Sequence, residues 1–304
     1  MAEISKMFNA YSEHLKLVRE LKITEREDEY ICPICLRGYK KSEINQLSLE
    51  DVPQAALGGK KIAITCRRCN NTCGNTIDHH LINYIDSLEN KNFLPGSNRK
   101  IKIINLGEGR PIEGSLMVLD SKNMKMLIPE NYFKSPDFEK RLRPLSKGEE
   151  ITLQNREMKT DNSSVSAAIL KNAYLILFSK FGYSFLLDDH YNTLRNQIQS
   201  HCTILSPYKI WRKFEKSPTI DGIYFSCDNR YLGFFVVYTI TLKQSYQITV
   251  YIPSPSVHLY SALTTIKNEA TNGEGLSLTT FDTSNLLWDK GKIQSIRDWV
   301  YTKS

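Results

Sequence analysis

The spacing of apolar residues along the chain predicts two long helices. Apolar side chains recur every three or four residues from Ser5 to Leu21, which predicts an amphipathic helix. The run from Val165 to Phe181 is apolar on almost every side and predicts a buried helix, opened by a capping signal at Ser163 and Ser164. Both helices are expected to contribute to packing.

Alternation of apolar and polar residues predicts two groups of β-strands. The first group follows the breaker cluster Leu94–Ser97, and the second begins at Gly222. The predicted strands span residues 100–106, 114–119, 125–129 and 150–153 in the first group, and 223–226, 231–242 and 246–252 in the second. Short turns between them predict antiparallel pairing, so helices and sheets together predict an α+β fold.

Two Cys-x-x-Cys pairs enclose a segment of about thirty residues near the N-terminus. The pairs are Cys32 with Cys35 and Cys66 with Cys69. Thiolates two residues apart on a tight turn bind one tetrahedral zinc ion, and two such turns complete a closed shell of four sulfurs. We therefore expect a structural Zn²⁺ held by these four cysteines, with no catalytic role.

The segment between the cysteine pairs carries two adjacent carboxylates. Glu50 and Asp51 end an apolar-polar alternation just before a turn. A short strand is predicted over residues 61–65, and apolar residues at helical spacing predict a helix over residues 76–85. The predicted order is therefore strand, carboxylates, strand and helix.

The same stretch carries a motif in several parts. These are Cys-x-x-Cys, then Glu-Asp-Val-Pro with a Gly-Gly turn, then Thr-Cys-x-x-Cys-Asn followed by a helix that carries Asp. This motif resembles the HNH endonucleases of the ββα-metal class, in the subgroup stiffened by a four-cysteine zinc, and it covers about fifty residues. The resemblance implies a zinc-stabilised ββα-metal domain that hydrolyses DNA phosphodiester bonds with a second, catalytic ion.

The resemblance also implies a role for individual residues. Glu50 would be the first ligand of a catalytic Mg²⁺ or Mn²⁺, and Asn70, directly after the last cysteine, would be the second. The general base of the family is normally His, and that position is Asp51 here. Asp51 would act as a base made more basic by burial beside Glu50, or as a further metal ligand. His79 or His80 could instead supply the imidazole, and Asn70 could instead cap the helix.

The chain is moderately basic, with a formal net charge of +7 and a pI near 8.9. Such a balance suits a polyanionic partner. Lys61 also stands where typical members of the family carry an Asn. The basic residues that flank the proposed metal site and would hold DNA phosphates are Lys60, Lys61, Arg67 and Arg68, with Arg37, Lys40 and Lys41 near the first cysteine pair.

We predict three segments along the chain. They are an N-terminal helix and hinge over residues 1–28, the zinc-bound HNH-like domain over residues 29–94, and a larger α+β domain of unassigned role over residues 95–304. No apolar run is long enough to cross a bilayer, and the N-terminus lacks the apolar core of a signal peptide. Seven cysteines, four of them in metal-binding pairs, suit a reducing compartment, so we expect a cytoplasmic protein without a membrane partner.

These observations together predict a metal-dependent HNH-type endonuclease that acts on DNA. Stand-alone chains of this type resemble nuclease effectors of bacterial antiphage defence. The chain has no ATPase motif, so an ATPase or sensor partner would be a separate protein. In one alternative, the domain binds nucleic acid without cutting because the base position is Asp51. In another, the chain is an assembly subunit whose C-terminal sheet does the main work.

Overall fold

The computed structural model describes two compact units. The described residues are 2–91, 94–104, 111–120, 122–130, 150, 152–155, 160–201, 208–212, 220–226, 228–272, 278–280 and 282–301. The first unit combines residues 1–82 with residues 160–304, and the second consists of residues 83–159.

The N-terminal part of the first unit contains a long helix, two short strand pairs and a run of helices. Its elements are α1 (Ala2–Glu20), β1 (Tyr30–Ile31), β2 (Gly38–Tyr39), β3 (Leu47–Val52), β4 (Lys60–Cys66) and α2 (Arg67–Cys73). Short 3-10 turns span Lys41–Gln46 and Ala55–Leu57. Helix α2 continues through a π-helical turn (Gly74–Asp78) into α3 (His79–Lys91), whose residues from 83 onward belong to the second unit.

The second unit is built on a four-stranded antiparallel sheet. Its strands are β5 (Asn98–Ile104), β6 (Ile112–Val118), β7 (Met124–Leu127) and β8 (Thr152–Asn155), in the order β7-β6-β5-β8. Burial alternates along β5 and β6, as expected for a sheet with one packed face. The buried face is formed by Ile101, Ile103, Ile112 and Leu116.

The C-terminal part of the first unit adds helices and a five-stranded antiparallel sheet. Its elements are α4 (Asn162–Phe181), α5 (Asn192–Ser200), β9 (Tyr208–Arg212), β10 (Gly222–Ser226), β11 (Gly233–Thr241), β12 (Ser245–Pro253), α6 (Leu259–Asn272), β13 (Leu278–Thr280) and α7 (Lys290–Tyr301). The strand order is β13-β10-β11-β12-β9. A 3-10 turn, Asp189–Tyr191, precedes α5.

Helix α4 lies at the centre of the first unit. Because it is apolar almost all round, its side chains leave water only when it is packed on every side. It contacts the hairpin β3–β4 and the π-helical turn, and also α5, β11 and β12. One buried helix therefore joins the cysteine-bearing hairpin to the C-terminal sheet. Even so, neither α4 nor any other described helix has the length and hydropathy of a bilayer-spanning segment.

The structure confirms the α+β prediction, since the described elements are helices and antiparallel sheets. The helices expected over residues 5–21 and 165–181 are α1 and α4. The expected cap of α4 was wrong. Asp161 caps the helix by accepting a hydrogen bond from the Ser164 N–H at 2.7 Å, while Ser163 and Ser164 lie within the first turn. Residues 105–106 and 151 of the predicted strands lie outside the described residues.

Candidate functional site: a four-cysteine centre beside a buried ionic network

The first cysteine pair lies on a tight turn between β1 and β2. The Cys32 carbonyl accepts a hydrogen bond from the Leu36 N–H, and the Cys32 N–H donates to the Arg37 carbonyl, both at 2.9 Å. These bonds hold Leu36 in the left-handed backbone region at φ 55°, which is uncommon for a residue other than glycine. The turn therefore fixes Cys32 and Cys35 relative to each other.

The second cysteine pair joins β4 to α2. Cys66 ends the strand and caps the helix, because its sulfur accepts a hydrogen bond from the Cys69 N–H at 3.4 Å. The Cys66 N–H in turn donates to the Cys32 sulfur at 3.4 Å, which links the two pairs. The alternative in which Asn70 caps the helix is therefore wrong, since Asn70 lies inside α2.

The four sulfur atoms form one cluster. They lie within 4.8 Å of one another, and the sulfurs of Cys35 and Cys66 are 3.8 Å apart. A tetrahedron with zinc–sulfur bonds of about 2.3 Å has sulfur–sulfur edges of about 3.8 Å. Cys32, Cys35, Cys66 and Cys69 are thus positioned to hold one metal ion, and the distances are compatible with a closed structural zinc site.

A fifth cysteine, Cys73, is buried on α2 and does not belong to this cluster. Burial raises the pKa of its thiol to about 12. A thiol that stays protonated at neutral pH is neither a good metal ligand nor a good nucleophile. Cys73 is therefore a natural comparison for the four clustered cysteines.

Three charged side chains from distant parts of the chain meet in a buried ionic network. Lys171 on α4 donates through Nζ to Glu50 Oε1 on β3 at 2.8 Å, and to Asp78 Oδ2 on the π-helical turn at 2.6 Å. The Lys171 side chain is 0% exposed, and those of Glu50 and Asp78 are 4% and 9% exposed. Because buried charges persist only when they are paired, the three ions depend on one another.

Neutral polar groups complete this network. Thr65 Oγ1 donates to Glu50 Oε2 at 3.0 Å, and Gln54 Nε2 donates to Asp78 Oδ1 at 2.6 Å. Longer hydrogen bonds of 3.4 and 3.5 Å connect Gln54 with Asn172 on α4. All four carboxylate oxygens of Glu50 and Asp78 therefore accept a hydrogen bond.

The two carboxylates keep Lys171 charged. Burial by itself lowers the pKa of the ammonium group, but Glu50 and Asp78 outweigh burial and raise the pKa of Lys171 above its ordinary value. One ammonium between two carboxylates leaves a net charge of −1. Thr65 and Gln54 donate hydrogen bonds to the same carboxylates and so help to stabilise this charge. The network is thus satisfied without a divalent ion.

Asp51, the predicted base, lies apart from this network. The pairing of β3 with β4 is irregular between Glu50 and Asp51, which lie opposite Ala63 and Lys61, so Ile62 is an extra residue on β4. Because side chains alternate along a strand, Glu50 and Asp51 lie on opposite faces of β3. Asp51 is half-buried, whereas Glu50 is buried.

Asn70, the second predicted ligand, binds β3 directly. Its side-chain amide donates to the Ser48 hydroxyl at 2.9 Å and to the Leu49 carbonyl at 3.2 Å. Within the described ranges, the four cysteines are the one group of three or more Cys, His, Asp or Glu side chains close enough to share an ion. The structure therefore brings Asn70 to the strand of Glu50, but among the described residues it assembles no second cluster of Cys, His, Asp or Glu side chains around them.

The two histidines that could supply an imidazole belong to a different contact. His80 Nδ1 accepts a hydrogen bond from the Asp161 N–H at 3.1 Å, and the rings of His79 and His80 are 4.0 Å apart. Burial, and then the neighbouring charge of His79, lower the pKa of His80. His80 thus binds the backbone at the start of α4 as a neutral ring.

The predicted DNA-contacting residues are exposed on the first unit. These exposed basic residues are Arg37, Lys40, Lys41, Lys60, Lys61, Arg67 and Arg68. Arg67 Nε donates to the Asn45 carbonyl at 2.6 Å. Arg37 and Arg68 line a cleft of about 300 Å³ beside the clustered cysteines. Of these basic residues, Arg37 and Arg68 therefore lie beside the four-cysteine centre on the surface, while the ionic network lies inside.

Sequence reasoning missed Lys171, Asp78 and Gln54. The available signal was that Lys171 and Asn172 interrupt the otherwise apolar helix α4. A charged residue in a buried helix requires a partner. Its partners, however, are 121 and 93 residues away along the chain, and no local pattern identifies them.

Neither a protein-family model, nor a curated protein, nor a solved structure matches this chain. Any functional assignment therefore depends on its residues and their geometry.

Proposed function

We propose that this chain is a DNA-binding protein on a zinc-stabilised ββα-metal scaffold, in which an internal lysine takes the place of the catalytic ion. The observation that carries the proposal is the bonding of Lys171 to both Glu50 and Asp78. In the endonuclease expected from the sequence, Glu50 would be an open metal ligand. Here both of its oxygens are engaged and its side chain is 4% exposed.

The scaffold is supported by the order and pairing of its elements. Strands β3 and β4 form an antiparallel hairpin, and α2 follows β4 without a loop. In the proposal, Zn²⁺ bound by the four clustered cysteines fastens this hairpin and helix to the turn between β1 and β2. Such an ion is structural, because four sulfur ligands leave no position for water or substrate.

A divalent ion at Glu50 would have to displace the Lys171 ammonium. That exchange leaves a buried cation with one partner fewer, and breaking a buried ion pair in this way costs about 3–5 kcal/mol. The incoming ion would also lose bound water, and Mg²⁺ in particular dehydrates reluctantly. The network therefore favours the lysine over a metal ion.

The exposed side of α2 suits contact with a polyanion. Arg67, Arg68, Asn71 and Thr72 are exposed, and the sequence has no acidic residue from Arg67 to Ile77. A zinc ion with four thiolates carries a net charge of −2, which arginines beside it offset. The remaining positive charge then comes from Arg67 and from Lys60 and Lys61 at the start of β4.

The binding proposal is tested with a short fluorescently labelled DNA duplex, whose anisotropy is followed between about 50 and 200 mM salt. We expect affinity to fall steeply with salt. In a variant with Lys60→Gln, Lys61→Gln and Arg67→Gln, losing three phosphate contacts should make the log–log salt slope less negative by about 3.

A matched control carries Lys6→Gln, Lys22→Gln and Lys180→Gln. These three lysines are also exposed, so the control has the same net charge without altering the proposed face. The proposal is wrong if the two triple variants bind DNA with the same salt slope, or if the parent protein shows no salt-sensitive binding.

Metal-dependent endonuclease activity is the second candidate, and the position of Asp51 favours it. Asp51 is half-buried, makes no side-chain hydrogen bond within the described residues, and lies on the face of β3 away from Lys171. Its carboxylate is therefore open to a hydrated ion.

The endonuclease candidate is tested by nicking of supercoiled plasmid with Mg²⁺ or Mn²⁺, using zinc-loaded protein. If Lys171 fills the ion position, the parent and the Glu50→Gln, Asp51→Ala and Asp51→His variants should all leave the plasmid intact. Nicking by the parent that Asp51→Ala abolishes would establish the endonuclease. Nicking by Asp51→His alone would show that the general base is what the chain lacks.

A further inference from the structure

A second cleft, of about 270 Å³, lies in the first unit at a distance in sequence from the cysteine-bearing helix. It is lined by residues after α1, residues after α4 and residues of α7, among them Arg26, Phe185, Leu187, Arg297 and Tyr301. Its size is just below the usual range of small-molecule sites, and its walls combine polar groups with a smaller apolar surface. Neither the expected nuclease chemistry nor the four-cysteine centre uses this cleft.

Arg26 is held rigidly at one side of the cleft. Its Nη1 donates to the Leu36 carbonyl at 2.6 Å, and its Nε donates to Asp28 at 2.8 Å. A guanidinium group has five N–H donors in a fixed plane. The two bonds therefore fix the orientation of Arg26 and leave donors for a ligand.

Arg297 is held in a similar way. Its Nη1 donates to the Ser184 carbonyl at 3.0 Å, and its guanidinium lies 4.9 Å from the centre of the Tyr301 ring. A backbone carbonyl and an aromatic ring thus position this second arginine. Pre-positioned arginines lose little conformational freedom when they bind a planar or tetrahedral oxyanion.

Asp188 lines the cleft and Asp28 pairs with Arg26, so two carboxylates offset part of the positive charge there. Asp188 accepts hydrogen bonds from the Tyr301 hydroxyl at 2.7 Å and from the His190 N–H at 2.8 Å, and Asp28 is bound by Arg26. Half-buried Leu187 adds a small apolar surface, whereas Phe185 is 1% exposed and is packed in the core. The cleft therefore offers two hydrogen-bonded guanidinium groups beside a small apolar surface.

We propose that this cleft binds a small molecule bearing a phosphate group, through Arg26 and Arg297. A phosphate monoester carries a charge of about −1.5 to −2 at neutral pH and three strong acceptor oxygens, which match two guanidinium groups better than a single carboxylate does. The small apolar surface at Leu187 contacts the part of a nucleotide or other ester that carries the phosphate. This site is independent of the proposed DNA contacts.

The cleft is also connected to the metal centre. Leu36 lines the cleft, accepts the hydrogen bond of Arg26, and follows the metal-binding Cys35 directly. Its left-handed backbone, at φ 55°, is the strained point of the first cysteine turn. A ligand bound to the guanidinium of Arg26 adds a contact to the group that holds the Leu36 carbonyl, and we expect slower transfer of the metal to a chelator when the ligand is bound.

Isothermal titration of the full chain tests the site, with inorganic phosphate, adenosine monophosphate and succinate as probes. We expect one saturable site for phosphate or the nucleotide and weaker binding of succinate. Binding of the nucleotide alone would show that contacts beyond the phosphate are part of the site. Arg297→Gln should weaken binding by about ten- to a hundredfold, because a hydrogen bond to a charged group is lost. Arg230→Gln, which alters an arginine outside the cleft, should not.

Several outcomes would overturn this inference. They are the absence of saturable binding, tighter binding of succinate than of phosphate, or equal affinity in Arg297→Gln and the parent. Arg297→Lys keeps the charge and is expected to bind with intermediate affinity, and circular dichroism of each variant shows whether it is folded. The Lys60, Lys61 and Arg67 triple variant should bind phosphate normally, so failure of the DNA proposal is distinguishable. An unchanged rate of metal transfer would refute the connection to Leu36.

Discussion

Replacing Lys171 with methionine removes the ammonium that lies between two buried carboxylates. Methionine retains most of the length of the side chain and fits an apolar helix, so the change acts mainly on charge. Glu50 and Asp78 keep their bonds from Thr65 and Gln54 but lose the cation that compensates them. The variant therefore isolates the contribution of the ion pairs.

The magnitude follows from the geometry of these pairs. Lys171 makes two charge-assisted bonds, of 2.8 and 2.6 Å, and its side chain is 0% exposed. Removing one partner from a buried ion pair costs about 3–5 kcal/mol. We expect the free energy of unfolding to fall by at least about 3 kcal/mol, a large part of the 5–15 kcal/mol typical of a folded domain.

The assay is urea denaturation of zinc-loaded protein, followed by far-ultraviolet circular dichroism. Adding Glu50→Gln and Asp78→Asn to Lys171→Met should recover most of the loss, since a neutral network needs no cation. Lys180→Met is the matched control, because Lys180 is exposed near the end of the same helix.

Two results would refute this reasoning. The first is a loss below about 1 kcal/mol, which is the level of a surface ion pair. The second is a deficit that the two neutralising substitutions, Glu50→Gln and Asp78→Asn, do not reduce. Either result would mean that Lys171 does not compensate buried charge.

Three further predictions concern other parts of the first unit. Cys66→Ala should abolish stoichiometric zinc and unfold the hairpin, while Cys73→Ala, outside the cluster, should retain zinc; elemental analysis of both proteins decides this. Burial lowers the pKa of His14 to about 4, so the unfolded state binds more protons below the ordinary pKa of histidine. Stability should therefore fall by about 2 kcal/mol from pH 7 to 5, a slope that His14→Phe should reduce in urea titrations. A Cβ on Gly59 would collide with a backbone carbonyl, so Gly59→Ala should cost about 2 kcal/mol or more. Gly74 has a helical backbone, and a Cβ there would meet no other atom, so Gly74→Ala should stabilise the protein by about 0.5–1 kcal/mol in thermal melts. A Gly59→Ala variant more stable than Gly74→Ala would contradict the local geometry.

Elements with a strong local pattern could be predicted from the sequence. Helices α1 and α4 follow from the spacing of apolar residues, and the meander β5–β6–β7 follows from alternation and turns. The four-cysteine cluster is also local in this sense. Each Cys-x-x-Cys pair spans a single turn, and the hairpin β3–β4 lies between the two pairs along the chain. The cap of α4 was predicted less accurately. Several neighbouring polar residues can cap a helix, and the structure shows that the side chain that does so is that of Asp161.

The interior of the candidate site could not be predicted, because it depends on contacts between distant segments. Glu50 was assigned from its neighbours in the motif, whereas its burial is decided by α4, which lies more than a hundred residues later. The same holds for Arg26 and Arg297, which are far apart in the sequence but line one cleft. The spacing of residues in the sequence indicates which chemical role a side chain is able to fill. Only the packed structure shows which side chain it is bonded to.

Electron paramagnetic resonance of Mn²⁺ added to the zinc-loaded protein tests the central claim most directly, because the spectrum of the hydrated ion is lost on binding. If Lys171 holds the place of the catalytic ion, the parent protein should leave the Mn²⁺ spectrum unchanged, as should Glu50→Gln. One tightly bound Mn²⁺ per chain, lost in Glu50→Gln, would show that a divalent ion displaces the lysine and would contradict the account.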